Sequence, residues 1–202
     1  ELLRAGGIAL ATGIAGCLGN DDPAADVETV DSLPTPTLGP DDAPVTVAVY
    51  EDYACPHCQT YTQNTLPKIR SEYVSDGIVQ YEHHDFPIPV DETWSWQVAS
   101  AARGVQETVG IEAFFEFSSA AYENLGSYSI DVIESLATEV GADPETIRTA
   151  AESEVYRPVL EADREQGVQA GVEGTPTVFV NDSSTYRYDW ETVSQAIESA
   201  RP

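Results

Sequence analysis

The sequence predicts an α/β domain in which a sheet is flanked by helices. A β-branched run at residues 45–50 has the pattern of a buried strand, and a helical pattern follows at residues 59–70. Apolar residues then recur at helical spacing through residues 98–140. With 202 residues, the chain has the length of one domain. These features place the folded domain at residues 45–202, behind an N-terminal segment of different composition.

The composition is strongly acidic, with 35 Asp and Glu residues, 9 Lys and Arg residues and a formal charge of −26. Such a charge repels nucleic acid and anionic membrane surfaces, so the composition excludes both as partners. An acid excess spread along the whole chain is typical of proteins in molar salt, where screening weakens self-repulsion. We therefore expect a salt-adapted protein of haloarchaeal type, with an ordinary acidic secreted protein as the alternative.

The first 19 residues are predicted to be an export signal. Residues 2–18 form an apolar run rich in Gly and Ala, which is short for a membrane span of ~20 residues. The run ends in Ile-Ala-Gly before Cys17, which resembles a site where a lipid is attached to the cysteine after cleavage. We expect Cys17 to carry this lipid and to be the only membrane contact; the alternative is an ordinary thiol.

Residues 20–44 are predicted to be a tether. Asp, Pro, Thr and Ala dominate this stretch, with prolines at five positions. A segment of this kind cannot bury enough apolar surface to offset the entropy lost on ordering. Pro-rich spacers are semi-extended, so the tether would hold the domain away from the membrane.

The residues that can carry out chemistry lie directly after the first predicted strand, in Cys55-Pro56-His57-Cys58. Pro56 suits the first position of a helix, which makes Cys55 the N-cap. Unpaired N–H groups and the positive end of the helix dipole favour a thiolate there. A protonated His57 adds a cationic partner. Cys58 lies one turn further along, close enough to form a disulfide with Cys55.

We interpret Cys55 as the more exposed, attacking nucleophile and Cys58 as the residue that resolves the mixed disulfide. Two other uses of such a pair remain open. A zinc site needs four ligands, and the rest of the domain offers only His83 and His84, which would point to opposite faces of a strand. A purely structural disulfide would close a four-residue ring that constrains little of the chain. We favour redox chemistry and predict no metal site.

The chain resembles DsbA-type thiol-disulfide oxidoreductases of the thioredoxin superfamily through nearly all of residues 45–202. The resemblance rests on the Cys55–Cys58 tetrapeptide, the Leu66-Pro67 pair that matches a kinked first helix, residues 81–88 and residues 171–181. It implies a thioredoxin fold, with a central mixed sheet flanked by helices and an all-helical insertion at about residues 91–165.

The resemblance also assigns site residues. It implies that the Thr175–Pro176 bond is cis and faces the disulfide, although cis bonds are only ~5 to 6% of X–Pro bonds. It implies that the backbone of Thr175 binds an extended substrate segment as an added strand. The Cys55–Cys58 tetrapeptide is then the catalytic motif, and its redox-active disulfide replaces any cofactor.

Within the insertion, apolar residues at helical spacing are predicted to be core. They are Val98, Ala101, Ala102, Val105, Val109, Phe114, Phe117, Ala121, Ile130, Ile133, Leu136 and Val140. Four aromatic residues are candidates either for a surface near the cysteines or for simple packing, namely Tyr53, Phe86, Trp94 and Trp96. Residues 186–188 read as a short strand, and Asp189 as the cap of the last helix.

One position departs from the family pattern. Many members place an acid six residues before the first cysteine, where it helps to move protons near the second, but this position is Val49. Glu51 and Asp52 lie nearer in sequence, and Asp52 matches an acid common in the family, which favours a structural role. Proton transfer is therefore left to His57 or water.

These residues predict an extracytoplasmic enzyme, lipid-anchored or secreted, that exchanges its disulfide with cysteine pairs of exported proteins. DsbA has a potential of about −120 mV and thioredoxin about −270 mV, so a DsbA-like motif favours a disulfide donor. A membrane redox partner would reoxidise it. The alternatives are a reductase or isomerase kept reduced by a membrane partner, a redox-inactive module that binds peptides at Thr175 and Pro176, and metal delivery.

Overall fold

The protein is described by a computed structural model that covers residues 27–88 and 90–202. Its centre is a five-stranded mixed sheet with the order β1-β3-β2-β4-β5. The strands are β1 Thr37–Leu38, β2 Val45–Glu51, β3 Val79–Asp85, β4 Thr177–Val180 and β5 Ser183–Ser184. β2 and β3 are parallel, and the other neighbours are antiparallel. This sheet confirms the predicted fold class.

β2 and β3 form the middle of the sheet. The β-branched residues Val45, Val47 and Val49 are fully buried on one face of β2, as a period of two requires. The two strands pair in register up to Glu51 opposite Asp85. Their carboxyl ends therefore lie side by side, at the edge of the sheet where the cysteine motif begins.

The described residues form eight α-helices. They are α1 Pro56–Asn64, α2 Leu66–Ile69, α3 Trp94–Thr108, α4 Ile111–Glu123, α5 Ile130–Glu139, α6 Pro144–Glu152, α7 Arg157–Gln169 and α8 Trp190–Ala200. Thr65 separates α1 from α2, which confirms the kink predicted at Leu66-Pro67. A π-helical turn, Arg70–Val74, follows α2.

Helices α3 to α7 form the insertion that the family resemblance implies. Its core is apolar and buried, as predicted for most positions, including Val98, Phe114 and Ile133. Val109 is an exception, because α3 ends at Thr108 and leaves Val109 44% exposed. The predicted core is therefore correct on the helix faces and wrong where the periodic pattern runs past the end of the helix.

The C-terminal hairpin differs from the prediction. The short strand expected at residues 186–188 lies instead at Ser183–Ser184, paired with Phe179 and Val180. The reason is a tight turn at Asn181, which adopts a φ of 51° and returns the chain at once. Asp189 does cap α8, because its carboxylate accepts a hydrogen bond from the N–H of Thr192.

The predicted tether is too long at its C-terminal end. Thr37–Leu38 pairs with β3 as an edge strand, and Leu38 is buried in the core. Further upstream, the Val30 N–H donates to the Val155 carbonyl (2.9 Å), and the Gln106 side chain donates to the Pro34 carbonyl (2.7 Å). Composition misled the prediction, because an edge strand needs few backbone bonds and tolerates neighbouring prolines.

The export signal predicted for residues 1–19, including Cys17, and the first part of the tether lie outside the described residues. Among the helices of residues 27–88 and 90–202, none has the length and apolar character needed to cross a membrane.

Candidate active site

The first cysteine lies where β2 passes into α1. The Cys55 N–H donates to the Asp52 carbonyl (3.0 Å), and the Cys55 carbonyl accepts from the Gln59 N–H (3.1 Å). The Asp52 side chain accepts from the Ala54 N–H (2.7 Å). These bonds fix the turn so that Cys55 is the N-cap of α1 and Pro56 is its first residue, as predicted.

The two cysteines of the motif, which are thiols in this structure, differ in acidity. A hydrogen bond from Cys58 lowers the pKa of Cys55 to about 5, against the effect of burial, and backbone N–H groups at the start of α1 contribute. Burial raises the pKa of Cys58 well above its ordinary value, and the hydrogen bond to Cys55 and the charge of Glu51 raise it further. A thiolate therefore forms at Cys55 while Cys58 keeps its proton.

The exposure of the two cysteines differs less than we expected from the sequence. Cys55 is 4% exposed and Cys58 is 0% exposed, whereas Pro56 and His57 between them are exposed. The chemical difference between the cysteines therefore rests on acidity and not on access to solvent.

The loop before β4 faces Cys55. The Thr175–Pro176 bond is cis, as the family resemblance implies. The Cys55 thiol donates to the Thr175 carbonyl (3.3 Å). Within the described residues the buried Thr175 hydroxyl has no hydrogen-bond partner, so it is free to donate to Cys55 once the thiolate forms. The loop thus contacts Cys55 in both protonation states.

His57 makes a contact that the sequence analysis did not predict. The Tyr188 hydroxyl lies 2.9 Å from His57 Nδ1. Tyr188 precedes α8 in the segment predicted to be a strand, so its approach to the motif depends on the turn that precedes it.

A buried carboxylate lies on the inner side of α1. Glu51 is 2% exposed, and its two oxygens accept hydrogen bonds from the Thr62 hydroxyl (3.1 Å) and from His83 Nδ1 (3.3 Å). Thr62 and Cys58 are four residues apart, so they share one face of α1. Glu51 therefore faces the same side of the helix as Cys58, which explains its effect on the pKa of that thiol.

Asp52 has a different role. Its second carboxylate oxygen accepts from the Ile88 N–H (2.7 Å) and the Ser95 hydroxyl (3.0 Å). Burial raises the pKa of Asp52 to about 6, although its N–H donors oppose the rise. These bonds tie the turn before Cys55 to the start of α3 and support the structural role predicted for Asp52.

A line of buried charges extends from Glu51 into the insertion. His83 Nε2 contacts Asp85 (3.3 Å), and Arg103 bridges Asp85 (2.7 Å) and Asp163 (2.5 Å). Burial lowers the pKa of His83, but hydrogen bonds to Asp85 and Glu51 outweigh this effect and raise it to about 9. His83 is therefore a cation between two carboxylates. The sequence alone does not indicate a partner for this histidine.

Comparisons with known proteins agree with this geometry. A family model described as thioredoxin matches residues 31–199. Disulfide bond formation protein D of Bacillus subtilis is 26% identical over 173 residues, which cover 81% of this chain and 75% of that protein. The crystal structure of oxidised BdbD from Bacillus subtilis superposes with a TM-score of 0.76 at 25% identity, over 86% of this chain and 98% of that chain.

The chain belongs to the thioredoxin family and is a DsbA-like thiol-disulfide oxidoreductase. Chlamydia trachomatis DsbA shares the fold, with a TM-score of 0.73 at 20% identity over 85% of this chain and 94% of that chain. The fold similarity includes the inserted helices, so this DsbA-like chain has the architecture that its tetrapeptide implies.

Of the four aromatic candidates in this DsbA-like chain, one lies in a groove beside the motif and three do not. Trp94 lines a groove beside the motif together with Ala54, Pro56 and Tyr128. The other three side chains do not line this groove. Tyr53 and Phe86 are in the core, and Trp96 packs under the Arg157 guanidinium, 3.9 Å from its ring centre.

Proposed function

We propose that this enzyme is an oxidase that donates the Cys55–Cys58 disulfide to cysteine pairs of exported proteins. The observation that carries the proposal is the contrast in acidity, with the pKa of Cys55 lowered to about 5 and that of Cys58 raised by burial. A stable thiolate at Cys55 favours the reduced form of the enzyme. A protein whose reduced form is favoured gives its disulfide away.

The free energy gained from this ionisation can be compared with that of the thioredoxin thiol. A thiol of pKa about 5 gains about 2 to 3 kcal/mol from ionisation at pH 7, compared with less than about 0.5 kcal/mol for the thioredoxin thiol of pKa about 7. The difference corresponds to about 50 mV. We therefore expect a potential of about −220 mV or higher, between thioredoxin and DsbA.

The exchange would proceed in two displacements. A substrate thiolate attacks Cys55, the bond to Cys58 breaks, and the Cys58 sulfur leaves and takes up one proton. A second substrate thiolate then attacks the substrate sulfur of the mixed disulfide, and Cys55 leaves as a thiolate. The substrate pair loses two electrons and two protons; one proton resides on Cys58 and the other passes to solvent.

Glu51 is the group that we assign to the proton of Cys58. Cys58 is fully buried and its thiolate is unfavourable, so the leaving sulfur needs a proton inside the protein. Glu51 is a buried carboxylate that faces this side of α1, and the protonated His83, 3.3 Å away, would supply the proton that Glu51 passes to the sulfur. This assignment replaces His57, which is exposed on the outer side of the motif, and bulk water, which does not reach the fully buried Cys58.

Substrate binding would use the loop of Thr175 and Pro176 and the adjoining groove. An extended peptide can add its backbone to that of Thr175, next to the Cys55 sulfur. Trp94 and Tyr128 offer apolar surface on the other side of Pro56. The chemistry suits cysteine-containing segments that have not yet folded.

The cellular setting follows from the N-terminal sequence and remains part of the proposal. An export signal at residues 1–19 and a lipid on Cys17 would anchor the enzyme to the outer face of the membrane. Disulfides persist in that environment. A membrane redox partner would have to remove two electrons from the Cys55–Cys58 pair after each turnover.

The deciding experiment is the redox equilibrium of the folded protein with glutathione in molar salt, read by thiol alkylation. A potential of about −220 mV or higher supports the oxidase. A value near −270 mV, the potential of thioredoxin, makes the enzyme a reductase. Cys55→Ser should abolish turnover of a peptide with a cysteine pair. If that variant retains the full cellular function of the wild type, the protein is a peptide-binding module.

A further inference from the structure

The histidine of the active-site tetrapeptide is held by a residue far away in the sequence. His57 Nδ1 and the Tyr188 hydroxyl are 2.9 Å apart, across a separation of 131 residues. The two rings lie 5.9 Å apart between centres and are tilted by 49°, so the contact is made through the hydroxyl and not by stacking.

The position of Tyr188 is fixed by its backbone. The Thr65 hydroxyl donates to the Tyr188 carbonyl (3.1 Å), and Thr65 is the buried residue that separates α1 from α2. The next residue, Asp189, caps α8. The backbone of Tyr188 is therefore attached to the C-terminal end of α1, the helix on which His57 lies, and to the start of α8.

The hydrogen bond changes its character with the charge of His57. A neutral imidazole can accept at Nδ1 from the phenol, whereas an imidazolium donates its Nδ1–H to the phenol oxygen. Bonds to a charged partner are roughly twice as strong as neutral ones. The bond is therefore stronger when the imidazole carries a proton, and an imidazolium held beside the motif is a cationic partner for the Cys55 thiolate.

We propose that Tyr188 is a positioning residue of the redox site, which holds His57 through Nδ1 and stabilises the dithiol form of the enzyme more than its disulfide form. The proposal rests on thiol-disulfide exchange at Cys55 and Cys58. With Nδ1 bonded to Tyr188, Nε2 is the nitrogen that remains for the substrate sulfur or solvent. The tyrosine would thus make the enzyme a stronger oxidant.

Tyr188→Phe tests the proposal, because it removes the hydroxyl and keeps the ring. The expected result is a twofold to fivefold shift of the glutathione equilibrium toward the disulfide at pH 7, as expected for the loss of one partly exposed hydrogen bond. The rate of Cys55 alkylation at mildly acidic pH should fall, because less of the thiol is ionised. Tyr186→Phe is the matched control, since Tyr186 is 86% exposed, and it should leave the equilibrium unchanged.

A double-mutant cycle with His57→Ala separates this role from a general effect on the fold. Tyr188→Phe should have no further effect on the equilibrium once His57 is absent. An unchanged equilibrium in the single variant, a shift toward the dithiol, or the same shift in the His57→Ala background would overturn the proposal. The wild-type potential tests the oxidase function separately, because the cycle compares ratios and not absolute values.

Discussion

Glu51 and Val49 point to the same face of β2, because side chains two residues apart on a strand share a face. The family acid expected at position 49 is absent, and a carboxylate two residues further along occupies the same side, one step nearer to the cysteine motif. Both residues are evident in the sequence, but the relation between them is not, because the partners of Glu51 come from α1 and β3. A carboxylate that lies two residues away from the expected position can be recognised only when the register of β2 with its neighbours is known.

Replacing Glu51 with Gln should slow the step in which Cys58 leaves as a thiol. The amide keeps the shape and the bond to Thr62 but cannot deliver a proton. General acid–base groups contribute about 10²- to 10⁴-fold, so we expect a loss on the order of tenfold to a hundredfold at pH 7. Rapid-quench analysis of the disulfide form with a two-cysteine peptide measures it.

Glu72→Gln is the control for this variant, since Glu72 is an exposed acid on the π-helical turn. It removes the same charge from the molecule and should leave the rate unchanged. Equal rates for Glu51→Gln and the wild type would show that the proton reaches Cys58 by another route.

His83 gives a pH dependence of stability with a definite sign. Its pKa is raised from 6.5 to about 9 in the folded protein. The stabilisation is therefore fully present below pH 6.5 and is lost as the pH rises through 9. We expect the difference in unfolding free energy between the wild type and His83→Gln to shrink by about 3 kcal/mol from pH 6 to pH 10. Urea unfolding at constant molar salt measures this difference, and one that is flat with pH would mean that His83 is neutral when folded.

At the scale of elements, Arg103 joins the insertion to the sheet. It lies on α3, is 0% exposed, and bridges Asp85 at the end of β3 to Asp163 on α7. It also donates to Gln106 (2.9 Å), which in turn binds the Pro34 carbonyl of the N-terminal segment. One side chain thus connects a strand, two helices and the segment before β1.

Arg103→Met should destabilise the protein by about 3 to 5 kcal/mol, because the buried carboxylate of Asp85 and the partly buried one of Asp163 lose the guanidinium that bridges them. Arg148→Met is the matched control. Arg148 pairs with Glu134 at the surface and is 39% exposed in its side chain, so its loss should cost much less stability than the loss of Arg103. Urea unfolding of both variants in the same salt compares them, and a similar cost for the two would contradict a special role of the buried network.

The elements that sequence reasoning predicted well are those specified by local signals. Pro56 marks the start of α1 and Asp189 marks the start of α8, because capping and proline chemistry act within a few residues. Thr37–Leu38 forms a strand despite the composition of its segment, because it pairs with the edge of β3. The partner of Tyr188 was not predictable either, since its approach to His57 depends on the turn at Asn181 and on Thr65.

At the scale of the whole molecule, charge is separated between interior and surface. Only three of the acidic residues in the described part of the chain are buried, namely Glu51, Asp52 and Asp85, and each accepts at least two hydrogen bonds or ion pairs. In the described residues, the acid excess that gives the chain its net charge of −26 is therefore carried mainly by side chains in contact with solvent. Their mutual repulsion destabilises the compact state unless salt screens it.

The salt dependence of stability should follow the screening length. The Debye length falls from about 10 Å at 0.1 M to about 3 Å at 1 M, so most of the gain in unfolding free energy should occur below about 1 M and then level off. NaCl and KCl should act alike, and the urea midpoint measured in each salt tests this. Continued linear stabilisation above 1 M, with sulfate far stronger than chloride at equal ionic strength, would assign the effect to salt-strengthened apolar burial instead. The predicted adaptation to a haloarchaeal setting depends on the first outcome, because only screening ties stability to the charge of −26.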